Sequence, residues 1–155
     1  MTTVCFIGHR KIENHNRVEK VTKEFVTDLI ENYNCTNFLF GSKSEFNYIC
    51  LDILTKLKEI HSNINRIYVR AEYPNIKNDY EDYLLERYEK TIFPKHLENA
   101  GKAIYIKRNQ YMIDESDICV FFYDNNSFNK KSGTKLALDY AIKKNKFVIN
   151  IFDNY

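Results

Sequence analysis

Residues 4–10 read Val4-Cys5-Phe6-Ile7-Gly8-His9-Arg10, an apolar run that ends at a glycine and continues with polar side chains. The run Phe38-Leu39-Phe40 likewise ends at Gly41, and Ser132-Gly133-Thr134 follows the apolar run 118–122 by a few residues. The 155-residue chain contains only 4 glycines, and three of them lie at such junctions. Because glycine permits tight turns and close approach to a ligand, these junctions indicate phosphate or nucleotide binding.

Apolar and helical patterns alternate along the rest of the chain. Strand-like runs lie at about 3–7, 36–40, 66–70, 103–106, 118–122 and 147–151. Between them, helical spacing predicts helices at about 16–33, 43–60, 80–93, 109–115 and 134–144. Alternation of this kind predicts a mainly parallel sheet covered by helices, built as a single domain over residues 1–155.

Composition narrows the classes of partner. Lysine plus arginine number 23 against 21 aspartates and glutamates, and this net charge of +2 argues against a nucleic-acid partner. No apolar run approaches the roughly 20 residues of a membrane span, so we expect a cytoplasmic protein without a membrane partner. Cys5, Cys35, Cys50 and Cys119 are scattered, which favours reduced structural thiols and predicts no metal site. We predict no cofactor.

Ligands of open α/β sheets bind beyond the carboxyl ends of the strands. Residues that follow the predicted strands there include glycines, hydroxyls and cationic side chains, which suit an anionic ligand. The predicted ligand-binding residues are Gly8, His9, Arg10, Gly41, Ser42, Arg70, Arg108, Asn109, Ser132, Gly133 and Thr134. The same loops contain Tyr73, Lys130 and Lys131.

Several of these residues also have simpler interpretations. Arg10 and Arg108 are the best phosphate ligands, and their alternative is an ordinary salt bridge. His9 beside a glycine turn is typical of a hydrogen-bonding structural residue. Ser42 and Glu45 match the S-x-x-E capping box of a helix start. No G-x-x-x-x-G-K-S/T and no G-x-G-x-x-G occurs, which excludes P-loop nucleotidases and standard NAD dehydrogenases.

Taken together, the motifs resemble the SLOG superfamily, which includes the lonely-guy cytokinin-activating enzymes. The matching segments are 6–10, 40–42, 108–117, 132–134 and 140–141, and the resemblance covers nearly the whole chain. It implies a Rossmann-like three-layer sandwich whose strand-end loops bind a nucleotide, a nucleoside or a related ribosyl ligand. The enzymes of the group carry a glutamate two residues beyond the threonine, whereas this chain has Leu136 there.

These residues and the resemblance leave three possible functions. The first is a sensor or binding module for a nucleotide-, nucleoside- or ADP-ribose-derived ligand. The second is an N-glycoside hydrolase or ribosyl transferase with an atypical carboxylate, for which Glu72 and Asp124 are the candidate catalytic residues. The third is a protein-interaction domain without a ligand. The aromatic segment 80–93, together with related family members, further suggests an exposed apolar patch and a homo-oligomer.

Overall fold

The computed structural model describes residues 2–72, 74, 76–126 and 132–154. A six-stranded sheet forms its centre, in the spatial order β4-β3-β2-β1-β5-β6, and every pair of neighbouring strands is parallel. The strands are β1 (Thr2–Gly8), β2 (Cys35–Phe40), β3 (Asn65–Val69), β4 (Lys90–Ile92), β5 (Ile118–Phe122) and β6 (Phe147–Asn150). The chain builds outward from β1 as far as β4 and then continues with β5 on the other side of β1. This reversal places a topological switch point between β1 and β5.

In the described ranges, five α-helices cover the sheet: α1 (His15–Tyr33), α2 (Glu45–Lys58), α3 (Asn78–Leu85), α4 (Ile104–Asp114) and α5 (Gly133–Lys143). Side chains alternate between the two faces of each strand, so the sheet has a core on either side. Phe6 of β1 packs in the core that α1, α2 and α3 cover, whereas Cys5 and Ile7 pack in the core under α4 and α5. The predicted Rossmann-like three-layer α/β fold is confirmed.

The apolar segment 103–106 is not a strand. Gly101, at φ 59°, lies in a short 3-10 turn that ends at Ala103, and α4 begins at Ile104. Met112 and Ile113 are buried on the inner face of α4, while Tyr105 and Ile106 remain exposed. The prediction was wrong because a short apolar run has no periodicity that separates a strand from a helix turn.

The predicted helix over 80–93 was also wrong in its second half. Helix α3 ends at Leu85, and after a turn the chain forms β4, which pairs with the outer edge of β3. Glu89 anchors the start of this strand: its backbone N–H donates to the carbonyl of Arg66, and its carboxylate pairs with the Arg66 guanidinium. Tyr88 is buried against Phe40 and Tyr68. These tertiary contacts override the local helical spacing.

Other predicted elements are confirmed to within a few residues, including α1, α2 and α5. The four cysteines are buried and unpaired, as expected of structural thiols. Among the described residues, no helix has the length and apolar character needed to cross a membrane. No cluster of potential metal ligands occurs in that same part of the chain.

Candidate functional site

A cleft of about 760 Å³ lies at the carboxyl edge of the sheet. All eleven residues predicted to bind a ligand line it: Gly8, His9, Arg10, Gly41, Ser42, Arg70, Arg108, Asn109, Ser132, Gly133 and Thr134. Glu72 lines it as well, whereas Asp124 does not. Tyr73, Lys130 and Lys131 lie outside the described residues. The parallel topology thus brings together loops that are far apart in sequence, such as those that contain Gly8 and Gly133.

Arg108 lines the cleft from a secondary-structure element other than the predicted one. It lies in the interior of α4 rather than after a strand, and it is only 6% exposed. Its Nη1 donates to the carbonyl of Gly41, and its Nε donates to Asn109 Oδ1 at 3.1 Å. Burial lowers the pKa of the guanidinium. No carboxylate within the described ranges forms an ion pair with it, although the charge of Glu72 partly opposes the effect of burial on its pKa. The cleft wall therefore contains a desolvated positive charge without a direct carboxylate contact.

Gly41 makes this position of Arg108 possible. A Cβ atom on Gly41 would lie 2.6 Å from Arg108 Cδ and 2.5 Å from Met112 Sδ, which is closer than real Cβ contacts. A Cβ on Gly8 would similarly lie 2.5 Å from Cγ of Phe46, a fully buried ring. Both glycines therefore make room for the protein's own side chains. A Cβ on Gly133 would meet nothing within 4 Å, so steric space imposes no glycine there.

Backbone donors of the β2–α2 connection are already used within the fold. The side chain of Asn47, 2% exposed, accepts hydrogen bonds from the N–H groups of Gly41 and Ser42 at 3.3 and 3.2 Å. Its Nδ2 donates to the carbonyl of Phe6 at 3.0 Å, which connects this turn to β1. The Gly41-Ser42 turn is consequently not an open phosphate cradle, despite its glycine. Asn47 could not be identified from the sequence, because no local pattern distinguishes a buried asparagine of a helix from an exposed one.

The predicted Ser42–Glu45 capping box does not form. The N-cap of α2 is Ser44, whose Oγ accepts from the N–H of Asn47, and Ser42 donates its hydroxyl to Ser44 Oγ. Glu45 instead accepts the N–H of Ile12 at 2.7 Å, while its own N–H donates to the carbonyl of Arg10. The first turn of α2 therefore holds the loop that follows β1, and this tertiary use of Glu45 outweighs the local box.

The start of α5 is different. Ser132 is the N-cap and accepts the N–H of Lys135 at 3.1 Å, which leaves Thr134 inside the first turn of the helix. Thr134 is 7% exposed and lines the cleft, yet its hydroxyl has no hydrogen-bond partner in the part of the chain that the structure describes. The N–H groups of Gly133 and Thr134 likewise have none there. Helix N-termini carry partial positive charge and open donors, so this end of α5 suits an anion.

The other cations of the cleft are not equivalent. The Arg70 guanidinium is tied to its surroundings, because Nη1 donates to Thr91 Oγ1 at 3.1 Å and Nη2 to the carbonyl of Pro74 at 3.3 Å. Arg10 is exposed and makes no side-chain hydrogen bond or ion pair within the described residues. Lys43 also lines the cleft. Arg10 and Lys43 therefore have side chains available for a ligand, whereas Arg70 mainly fixes the loop after β3.

His9 connects the loop that follows β1 to the end of β5 and the loop beyond it. Its Nε2 accepts the backbone N–H of Asp124 at 2.9 Å, and the backbone N–H of His9 donates to the carbonyl of Phe122 at 3.3 Å. The acceptor role requires the neutral imidazole, and burial lowers the pKa of His9, an effect that the charge of Asp124 partly opposes. Asp124 uses its carboxylate locally, as acceptor for the N–H of Asn126. Outside the cleft and occupied in a turn, Asp124 is poorly placed for catalysis.

This arrangement predicts a loss of stability in mild acid. Because the folded-state pKa of His9 lies below its ordinary value of 6.5, the unfolded chain binds more protons as the pH falls from that value towards the folded pKa. We expect the urea midpoint of the wild type to fall between pH 7 and pH 5, and to fall less steeply in His9→Gln, which keeps an acceptor but does not titrate. His15→Gln, which removes an exposed histidine of α1, should retain the wild-type slope. Equal slopes in all three proteins would contradict this assignment.

Aromatic side chains form another part of the wall. Tyr68, Tyr80 and Tyr105 line the cleft, and burial raises the pKa of Tyr68. The Arg108 guanidinium carbon lies 5.7 Å from the centre of the Tyr105 ring. The Tyr105 hydroxyl donates to Glu72 Oε1 at 3.1 Å, across the gap between α4 and the loop after β3. From the sequence, Tyr80 was predicted only as part of an aromatic helix, and Tyr68 and Tyr105 were not predicted to line the cleft.

Fold and site together define a Rossmann-like α/β protein with a cation-rich, tyrosine-lined cleft at the carboxyl ends of its strands. No protein-family model matches this chain, and no curated protein matches it significantly. The resemblance to the SLOG superfamily therefore rests on the motif residues and stays a prediction. Leu136, at the position of the enzymes' glutamate, is 48% exposed and does not line the cleft.

Proposed function

We propose that this chain is a SLOG-like domain that binds a nucleotide-, nucleoside- or ADP-ribose-derived ligand in the cleft and acts as a sensor or binding module. The observation that carries the proposal is Arg108. A guanidinium that is 6% exposed and has no carboxylate partner among the described residues is costly to bury. An anionic ligand would supply the missing charge, and the close approach that Gly41 permits holds the cation ready for it.

Charge and shape in the cleft support the same ligand class. Its described lining contains the cations Arg10, Lys43, Arg70 and Arg108 against one carboxylate, Glu72, so the local charge is strongly positive although the whole chain is nearly neutral. Phosphate and pyrophosphate groups match such a field. The tyrosines offer flat apolar surface on which a base can stack. A volume of about 760 Å³ lies within the range of small-molecule sites.

Phosphate is best placed at the start of α5. The turn before α2 has used the N–H groups of Gly41 and Ser42 on Asn47, whereas those of Gly133 and Thr134 have no partner within the described residues. Thr134 adds a hydroxyl that is buried on the cleft wall. Arg108 and Arg10 would offset the remaining charge. We therefore place the phosphate of the ligand at the junction that contains Gly133. The junctions at Gly8 and Gly41 shape the cleft, because they accommodate side chains of the protein itself.

The test is a thermal-shift panel of nucleoside monophosphates, ADP-ribose, NAD and cyclic nucleotides, followed by calorimetric titration of any compound that shifts Tm. A ligand at about 100 times its Kd stabilises the native state by about 2.7 kcal/mol. For a chain of this size we expect a rise in Tm of roughly 5–10 °C. Orthophosphate at equal ionic strength is the control for simple anion effects. If no member of the panel raises Tm more than orthophosphate does, the proposal is wrong.

A second candidate function, N-glycoside hydrolysis or ribosyl transfer, is favoured by one observation: Glu72 lies in the cleft. A carboxylate there could stabilise an oxocarbenium-like centre while water or another acceptor attacks the anomeric carbon and the base departs with a proton. Chromatography for free base after incubation with nucleotides tests this. We expect any turnover to be lost in Glu72→Gln and retained in Asp124→Asn. Turnover that survives Glu72→Gln would eliminate this mechanism.

The apolar patch on which the proposed homo-oligomer depends is smaller than the sequence suggested. Tyr88, within the predicted aromatic patch, is 7% exposed and belongs to the core. Tyr83 and Leu85 remain exposed at the end of α3, and the Arg87 guanidinium carbon lies 4.1 Å from the centre of the Tyr83 ring. Association of copies, a cytoplasmic location and the alternative of a ligand-free interaction domain all stay proposals. Light scattering at high concentration decides the first, because a monomer there would contradict it.

A further inference from the structure

Glu72 is the one carboxylate among the described residues of the cleft wall, where the other charged side chains are cations. It lies in the connection from β3 to α3, which Arg70 fixes from within through its bonds to Thr91 and Pro74. From the opposite side, the Tyr105 hydroxyl of α4 donates to Glu72 Oε1 at 3.1 Å. Two separate elements therefore hold this exposed carboxylate in one place.

The charge of the Glu72 carboxylate acts on the buried Arg108 cation, but the two groups form no direct contact. Arg108 donates instead to the carbonyl of Gly41 and to Asn109, and no ion pair joins it to Glu72. Glu72 Oε2 has no hydrogen-bond partner within the described ranges. A carboxylate in an anion-binding cleft would repel phosphate, so it must face a neutral part of the ligand that donates hydrogen bonds. The vicinal hydroxyls of a ribose ring are such donors, and acidic side chains bind them in other Rossmann-like sites.

We infer that Glu72, positioned by Tyr105, accepts hydrogen bonds from the ribose hydroxyls and makes the cleft select ribonucleotides over their 2′-deoxy counterparts. This inference rests on the proposed function, since it concerns the same cleft. It assigns the ends of the ligand: phosphate lies towards Thr134 and Arg108, and ribose lies at Glu72. Tyr105 is a positioning residue, because it acts through the carboxylate.

The experiment is calorimetric titration with the four common ribonucleoside 5′-monophosphates and their 2′-deoxy forms. We expect the wild type to bind the ribose form of its preferred base about 10- to 100-fold more tightly, the range of a hydrogen bond to a charged group. Glu72→Ala should reduce this ratio to about 3-fold or less, chiefly by weakening the ribose form, while binding of the 2′-deoxy form stays equal or improves. Tyr105→Phe should reduce the ratio less. Glu86→Ala, which removes an exposed carboxylate outside the cleft, should keep the wild-type ratio.

The outcomes separate this inference from the proposed function. Equal binding of ribose and deoxyribose forms by the wild type would overturn the role of Glu72 and leave nucleotide binding intact. A ribose preference that Glu72→Ala does not change would overturn it as well, because the discrimination would then arise elsewhere. A parallel loss of both forms in Glu72→Ala would indicate a structural role and would also overturn it. Failure of every nucleotide to bind would overturn both proposals.

Discussion

Gly8→Ala should destabilise the protein by about 3 kcal/mol, the upper part of the range for an overpacked core. The added methyl group would lie 2.5 Å from Cγ and 2.6 Å from Cβ of Phe46. These atoms are close to the helix backbone, so a change of rotamer cannot relieve the contact. Phe46 is fully buried, and its ring contacts Phe6 and Phe122. Either α2 or the end of β1 must move.

Gly133→Ala is the matched control, because the same methyl group at the start of α5 meets nothing within 4 Å. There the substitution should leave the unfolding free energy unchanged or raise it by about 0.5 kcal/mol, since alanine loses less backbone entropy on folding. Urea unfolding of both variants without ligand measures the difference. For a chain of this size, about 3 kcal/mol corresponds to a fall in Tm of roughly 6–12 °C. Equal stabilities of the two variants would show that Gly8 is not a packing glycine.

The three glycine junctions line one cleft, and at Gly8 and Gly41 the protein's own side chains occupy the space that a Cβ atom would need. Glycine ends β1 and follows β2 because Phe46 and Arg108 approach the backbone there, and no sequence pattern reveals which long-range side chain will do so. Both approaching side chains come from other elements, in the case of Arg108 from 67 residues further along the chain. Local pattern thus indicates that something approaches closely, whereas the tertiary fold decides whether it is a ligand or the protein itself.

Strand prediction succeeded where burial on both faces produces a continuous apolar run, as in β1 and β5. It failed at β4, a three-residue edge strand that depends on the pairing of Thr91 and Ile92 with β3. Because residues 103–106 do not form a strand, Arg108 does not follow a strand end as predicted. It lines the cleft, as predicted, but it does so from the interior of helix α4. Glu72 and Asp124 looked equivalent in sequence, but Glu72 lines the cleft, whereas Asp124 lies outside it and accepts the N–H of Asn126 in a turn.

Arg108→Met should weaken binding of the tightest nucleotide in the panel by roughly 30- to 150-fold, since the ligand loses a charged hydrogen-bond donor worth about 2–3 kcal/mol. Stability without ligand should change little, or rise. The guanidinium is desolvated and has no carboxylate partner in the described chain, and methionine retains an apolar stem beside Gly41. Replacing a buried charge that no carboxylate contacts directly by an apolar side chain of similar length removes a desolvation penalty. The lost bond to the Gly41 carbonyl works in the opposite direction.

Arg66→Met provides the control with the opposite signature. Its side chain is 11% exposed, but Arg66 bonds to Glu89 at 3.0 Å and to Thr55, outside the cleft. Removing it should cost about 1 kcal/mol of stability and leave nucleotide affinity unchanged. Calorimetric titration and urea unfolding of both variants give four values. A structural arginine would lose stability without losing affinity, so Arg108→Met behaving like Arg66→Met would refute the anion-binding role of Arg108. If Arg108→Met loses nucleotide affinity and keeps its stability, the buried Arg108 cation contributes to ligand binding and not to folding.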